Sequence, residues 1–95
     1  KLLSRCVTKV VCGAHHAMAL DAKGVVFSWG LNDRGQLGLG DKKNRCEPTR
    51  VLALKRHVIV DIAAGKDFSA AVDENGRVFC WGRNDIVPSV RGHQL

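Results

Sequence analysis

The sequence predicts an all-β chain of stacked units on three observations: it repeats itself at an interval near fifty residues, its apolar segments are too short for helices, and their connections carry hairpin-turn chemistry. Placing Gly13 on Gly65 gives an offset of 52 (65 − 13). The same shift brings Ala19 onto Ala71, Asp21 onto Asp73, Gly24 onto Gly76, Trp29 onto Trp81, Gly30 onto Gly82 and Asn32 onto Asn84. An interval of about fifty falls among the lengths of propeller blades and other stacked units. At 95 residues the chain is one domain at most, with a limited core.

Val7–Cys12 is β-branched and apolar apart from Thr8 and Lys9, and it ends at Gly13, as a strand running into a turn would. Ala17-Met18-Ala19-Leu20 and its counterpart Ser69-Ala70-Ala71-Val72 are rich in the best helix former. Gly13 and Asp21, or Gly65 and Asp73, leave no room for the ten or so residues of an ordinary helix, so both read as strands. Their small side chains let neighbouring sheets approach. Asp21-Ala22-Lys23-Gly24 and Asp73-Glu74-Asn75-Gly76 read as hairpin turns, because Asp bonds amides two residues on and Gly24 or Gly76 supplies a positive φ.

The next strands, residues 25–29 and 77–81, are apolar almost without alternation and therefore need cover on both faces. Phe27, Trp29, Phe79 and Trp81 are assigned to the core between units, with the two indoles buried at equivalent positions. Gly30 and Gly82 end these strands, where a side chain is not expected to fit. Residues 30–50 concentrate the turn formers Asn32, Asp33, Gly35, Gly38, Gly40, Asn44 and Pro48, which predicts an ordered loop with one short strand at 36–39. Strand character resumes at 50–54, a basic turn follows at 55–57, and residues 58–64 lead into the second copy. The units are thus about 7–57 and a truncated 58–95, within one domain spanning 1–95. After Asn84 and Asp85 the second copy has Ile86-Val87-Pro88-Ser89-Val90 before Arg91-Gly92-His93-Gln94-Leu95, so it is expected to be incomplete, through either a cut from a longer array or an aberrant join.

Formal net charge is +6, and the excess is unevenly placed. Lys42, Lys43, Arg45, Arg50, Lys55 and Arg56 lie in the connection between the copies, with Glu47 the only acid between Lys42 and Arg56. They are either a solvated loop or a contact for an anionic partner. No apolar run approaches the roughly 18 residues of a membrane span. Cys6, Cys12, Cys46 and Cys80 form no Cys-x-x-Cys pair, which argues against a zinc framework and for reduced thiols packed as small apolar groups, hence nucleus or cytoplasm.

Gly35-Gln36-Leu37-Gly38-Leu39-Gly40 lacks the Lys and Ser or Thr of a phosphate loop and the helix that would follow. His15 and His16 are neighbours on an extended segment and point to opposite faces. No nucleophile motif accompanies any His. Catalytic, cofactor and metal residues are therefore expected to be none.

The run from Val25 through Trp29-Gly30-Leu31-Asn32 to Gly35-Gln36-Leu37-Gly38-Leu39-Gly40, with the small-residue strand and Gly24 turn before it and Pro48 after it, resembles the regulator of chromosome condensation repeat. The likeness extends over about residues 7–85. Its repeat features here are Gly13, Gly24, Trp29, Gly30, Gly65, Gly76, Trp81 and Gly82. It implies a partial β-propeller of four-stranded antiparallel blades, and it places His16 where a packed His is common. Members act as interaction platforms: the founding type promotes guanine-nucleotide exchange on the small GTPase Ran while bound to chromatin, and others carry propellers beside ubiquitin-ligase or kinase domains. The resemblance therefore implies a protein-binding module without catalysis of its own. The alternatives are part of an exchange factor for a Ran-type GTPase, or the propeller portion of a ubiquitin ligase. Expected partners are a protein such as a small GTPase, chromatin or nucleic acid, and either further blades or a second copy to cover open sheet faces, with no membrane involved.

Overall fold

The computed structural model describes residues 6–82 and the backbone of 92–94. In chain order, β1 (Val7–Cys12), β2 (His16–Asp21), β3 (Val26–Gly30) and β4 (Arg45–Arg50) form one four-stranded sheet. β5 (Ile59–Ala64), β6 (Phe68–Asp73), β7 (Val78–Gly82) and β8 (Gly92–Gln94) form the other. The first sheet is an antiparallel meander. In the second, β5–β7 repeat that meander, while β8 runs parallel to β7, so a wholly antiparallel quartet occurs once. The expected insertion at 86–90 falls outside the described residues. Among the described residues no helix is long and apolar enough to cross a membrane.

The two meanders reproduce each other bond for bond. Asp21 Oδ1 accepts from the amides of Lys23 and Val25, both at 2.9 Å, and Asp73 Oδ1 accepts from Asn75 at 2.9 Å and Arg77 at 2.8 Å. Both turns therefore close through an aspartate that satisfies two amides the hairpin leaves unpaired. Gly30 and Gly82 share φ values of 109° and 108°, and an added Cβ would lie 2.6 Å from the His15 carbonyl in one case and 2.5 Å from that of Asp67 in the other. Gly13 and Gly65 stand in the same way against the rings of His16 and Phe68.

Two local expectations are corrected. Residues 36–39 form successive turns rather than a strand, because Asn32 draws the loop around itself. Fully buried, its Nδ2 donates to the carbonyls of Asp41 at 3.0 Å and Lys43 at 2.9 Å, and its Oδ1 accepts from the Leu37 amide at 3.0 Å. The fourth strand is Arg45–Arg50 instead of 50–54, and Leu52–Leu54 is a 3-10 turn. Pro48 had argued for loop, but β4 is an outer strand, where a missing amide costs no ladder bond.

β5 lies against β1 and β2, so the sheets meet face to face. Alternation sets which residues meet. Val11, Met18, Leu20, Val26 and Ser28 share the face of the first sheet that turns to the second, and Ile62, Ser69, Ala71, Phe79 and Trp81 share the face that answers it. Leu54 and Val51 close the core from the connection. The loop of the first copy reaches over the second: Trp81 Nε1 donates to the Gln36 carbonyl at 2.9 Å and Ser69 Oγ donates to it at 2.7 Å. With its hydroxyl proton committed, Ser69 Oγ accepts from His16 Nε2 at 2.9 Å, which fixes the His16 tautomer. Phe27, Phe79 and Trp81 are buried, but Trp29 is only half-buried. The thiols also depart from expectation, since Cys6, Cys12 and Cys46 are free and exposed and only Cys80 is half-buried. Burial pushes the Cys80 thiol up from its ordinary value.

Candidate anionic-partner surface

β4 decides where the basic side chains go. Arg45 stands opposite Gly30 and Arg50 opposite Phe27, so the two arginines mark opposite ends of the first sheet. At about 3.3 Å per residue their backbones are roughly 16 Å apart. Lys42 and Lys43 belong with Arg45 at the loop end, and Lys55 and Arg56 belong with Arg50 at the end that carries the hairpin turns. Six basic residues that share one stretch of the sequence are thus two groups in space.

At the loop end, Arg45 is committed internally. Its Nη2 donates to Asp41 Oδ2 at 2.9 Å and its Nη1 to the Lys43 carbonyl at 2.9 Å. The Lys43 amide, and after it the Arg45 guanidinium, hold the Asp41 carboxyl below the usual carboxylate range. Of the three residues of the basic run at this end, only Lys42 and Lys43 are exposed.

The turn end is different. Lys23, Arg50, Lys55, Arg56 and His57 line a single groove between the β2–β3 turn and the Leu52–Leu54 turn, and no carboxylate shares its lining. Val26, Val51 and Leu54 form its apolar floor. Lys23, Arg50, Lys55 and Arg56 are exposed, so each stem can lie along the groove while its charge stays in water. His57 is held at one wall: its Nδ1 is 3.3 Å from Asp73 Oδ2, and its ring tilts 54° against Phe79 at 4.7 Å between centroids. Burial would raise the Asp73 carboxyl, but the Arg77 and Asn75 amides and His57 outweigh it and leave it lowered. Four exposed cations, Lys23, Arg50, Lys55 and Arg56, around an apolar floor with no carboxylate in the lining can receive a phosphate or an acidic side chain.

Sequence reasoning did not place Lys23 in this group, and it read His57 as part of the basic turn at 55–57 without counting it as a contact residue. The available signal was the strand register, because an antiparallel β3–β4 pair brings the turn before β3 beside the end of β4. Of the two adjacent histidines, His15 is exposed and His16 buried. Among the described residues no group of three or more His, Cys, Asp or Glu is placed to hold a metal ion.

Comparison with known proteins follows the repeat. Two models of the Regulator of chromosome condensation (RCC1) repeat match residues 23–72 and 7–36. The chain is 40% identical over 87 residues to Ras guanine nucleotide exchange factor C of Dictyostelium discoideum, covering 92% of this chain and 6% of that protein. It is 40% identical over 76 residues to the probable E3 ubiquitin-protein ligase HERC3 of Homo sapiens, covering 80% of this chain and 7% of that protein. Among solved structures, Prp20p from Saccharomyces cerevisiae, a protein with binding properties to Gsp1p and histones, matches with a TM-score of 0.66 at 33% identity, over 80% of this chain and 19% of that one. The chain spans a small fraction of the length of each of these proteins.

Proposed function

The chain belongs to the regulator of chromosome condensation (RCC1) repeat family, and from that membership we propose a non-catalytic binding module, a propeller segment whose turn-end groove meets an anionic partner. The observation that carries this reading is the groove itself, five basic side chains around an apolar floor without a carboxylate in the lining. The partner we favour is nucleosomal DNA, in keeping with the histone binding of Prp20p and with residence in the nucleus. Cytoplasmic residence would go with a protein partner alone.

The test is binding of the protein to nucleosomes over a salt series. Contacts to phosphate make affinity fall with salt at a log–log slope of about 0.9 per phosphate neutralised. Replacing Arg50, Lys55 and Arg56 with Glu is expected to abolish binding, whereas Lys42→Glu with Lys43→Glu is expected to leave most of it. Equal loss from both sets would sink the groove as the contact surface.

Part of an exchange factor for a Ran-type GTPase is the second reading. It is supported by likeness to Ras guanine nucleotide exchange factor C and to a protein that binds Gsp1p. It requires faster nucleotide release from such a GTPase in the presence of the protein, and an unchanged release rate removes it. The ubiquitin-ligase reading rests on the HERC3 likeness, and the described residues add nothing to it.

A further inference from the structure

The contact between the two sheets is a template, because each sheet carries both of its halves. The face by which the first sheet receives the second has repeat counterparts on the far side of the second sheet, namely Ala63, Ala70, Val72, Val78 and Cys80 for Val11, Met18, Leu20, Val26 and Ser28. In the first sheet Met18, Leu20, Val26 and Ser28 are at most 4% exposed, while all five counterparts are half-buried or exposed, and Ala63, Ala70, Val72 and Val78 line an apolar groove that Asp61 also borders. The answering face is likewise repeated on the far side of the first sheet. There Ala19 and Phe27 are already covered, but Val10, Cys12, Ala17 and Trp29 remain open. Val10 is 55% exposed where its counterpart Ile62 is 2%.

The polar groups of the internal contact indicate what belongs on these faces. Lys9 and Asp61 occupy the same repeat position, one per sheet, and pair at 2.6 Å. A second copy stacked in the same sense brings its Lys9 to Asp61 of the first, so positive and negative alternate along the stack. A symmetric pairing instead sets two Asp61, or two Lys9, on one interface. His16 and Ser69 also form a pair across the internal contact, and the residues that would meet in their place between copies are Phe68 and Ala17. Both polar partners are replaced together, which leaves no orphaned donor.

We propose that a second copy of this chain docks head to tail, the far face of the second sheet in one copy receiving the far face of the first sheet in the next. The contact is heterologous, so it continues into an open chain unless the rotation closes a ring. Ala70 and Val72 are smaller than Met18 and Leu20, which makes the contact between copies weaker than the one within the chain.

Sedimentation velocity over a concentration series tests this with two variants at exposed positions, Val10→Arg, which blocks one face, and Ala63→Arg, which blocks the other. The unaltered chain is expected to associate with concentration, and each variant alone to sediment as a monomer. An equimolar mixture of the two is expected to form a 1:1 dimer and nothing larger, because each retains the face the other lacks. The proposal is overturned by an unaltered chain that stays monomeric throughout, by either variant associating alone as a symmetric contact would allow, or by a mixture that remains monomeric.

Discussion

Trp29 and Trp81 occupy the same place in their sheets, opposite Ala17 and Ser69, yet Trp81 is 1% exposed and Trp29 half-buried. Neither strand nor turn distinguishes them, since the flanking hydrogen bonds recur at the offset of 52. The difference comes from the neighbour. Gln36 accepts the Trp81 indole proton, and Gly38 lies so near that an added Cβ would be 2.7 Å from Nε1. Trp29 instead borders an open groove with Cys12, Ala17 and His15. In a stack of repeats the sequence assigns a residue its position in the unit, while the adjoining unit decides whether that position is dry.

The largest effect that could break this comparison is truncation of the two indoles. Trp81→Ala is expected to cost about 3–5 kcal/mol, the range for emptying a buried aromatic site, and it also strands the Gln36 loop. Trp29→Ala should cost about 1–2 kcal/mol, near the centre of the range for single substitutions. Urea titrations of both variants measure the difference. Equal losses would mean that burial of the position, and not cover by the neighbouring loop, sets its contribution.

A smaller effect sharpens the comparison at the hairpin turns. Gly24 and Gly76 have φ of 83° and 81°, so an alanine carries the same backbone penalty at either, about 1–2 kcal/mol. Their surroundings differ, because a Cβ on Gly24 would lie 2.7 Å from the Val58 side chain and 2.8 Å from the Ile59 amide, while one on Gly76 meets nothing within 4 Å. Gly24→Ala should therefore cost about 1 kcal/mol or more beyond Gly76→Ala, from overpacking the junction between the sheets. Matching midpoints in denaturant would show that β5 yields to the extra methyl.

What was legible in the sequence follows the same division between unit and neighbour. The all-β class, β1, both small-residue strands and both aspartate turns could be read because each is specified within a few residues, by β-branching, by glycine and by Asp side chains that bond locally. Arg45–Arg50 as the outer strand was hidden by Pro48, and the loop's lack of a strand by Asn32, whose partners lie as far along as Asn44. The basic surface was half legible. The charges were visible, but their separation into two ends and the recruitment of Lys23 depend on the register of β3 and β4, which no local pattern states.

The mildest test concerns pH, and it exploits the one polar pair across the sheets that the second copy replaces with Phe68. Burial lowers the His16 pKa, against weaker contrary influences from the Phe68 backbone and the Asp67 charge. Its Nε2 proton is committed to Ser69, and Nδ1 is buried without a hydrogen-bond partner, so the added proton of the charged form would enter a dry site. Since the folded pKa lies below the unfolded value of about 6.5, the unfolded chain takes up the proton first as pH falls. The contribution of neutral His16 is thus fully present above about pH 6.5 and is lost progressively below it, towards the folded pKa. Asp41, Asp61 and Asp73 have lowered values and act further down: their contribution persists until pH drops below about 4, the ordinary carboxylate value, and then disappears. Urea midpoints measured from pH 8 to 3 should accordingly fall in two stages. His16→Phe, which makes the first copy resemble the second, should erase the upper stage and leave the lower one. An upper stage that survives the substitution would assign it to another histidine and remove His16 as its source.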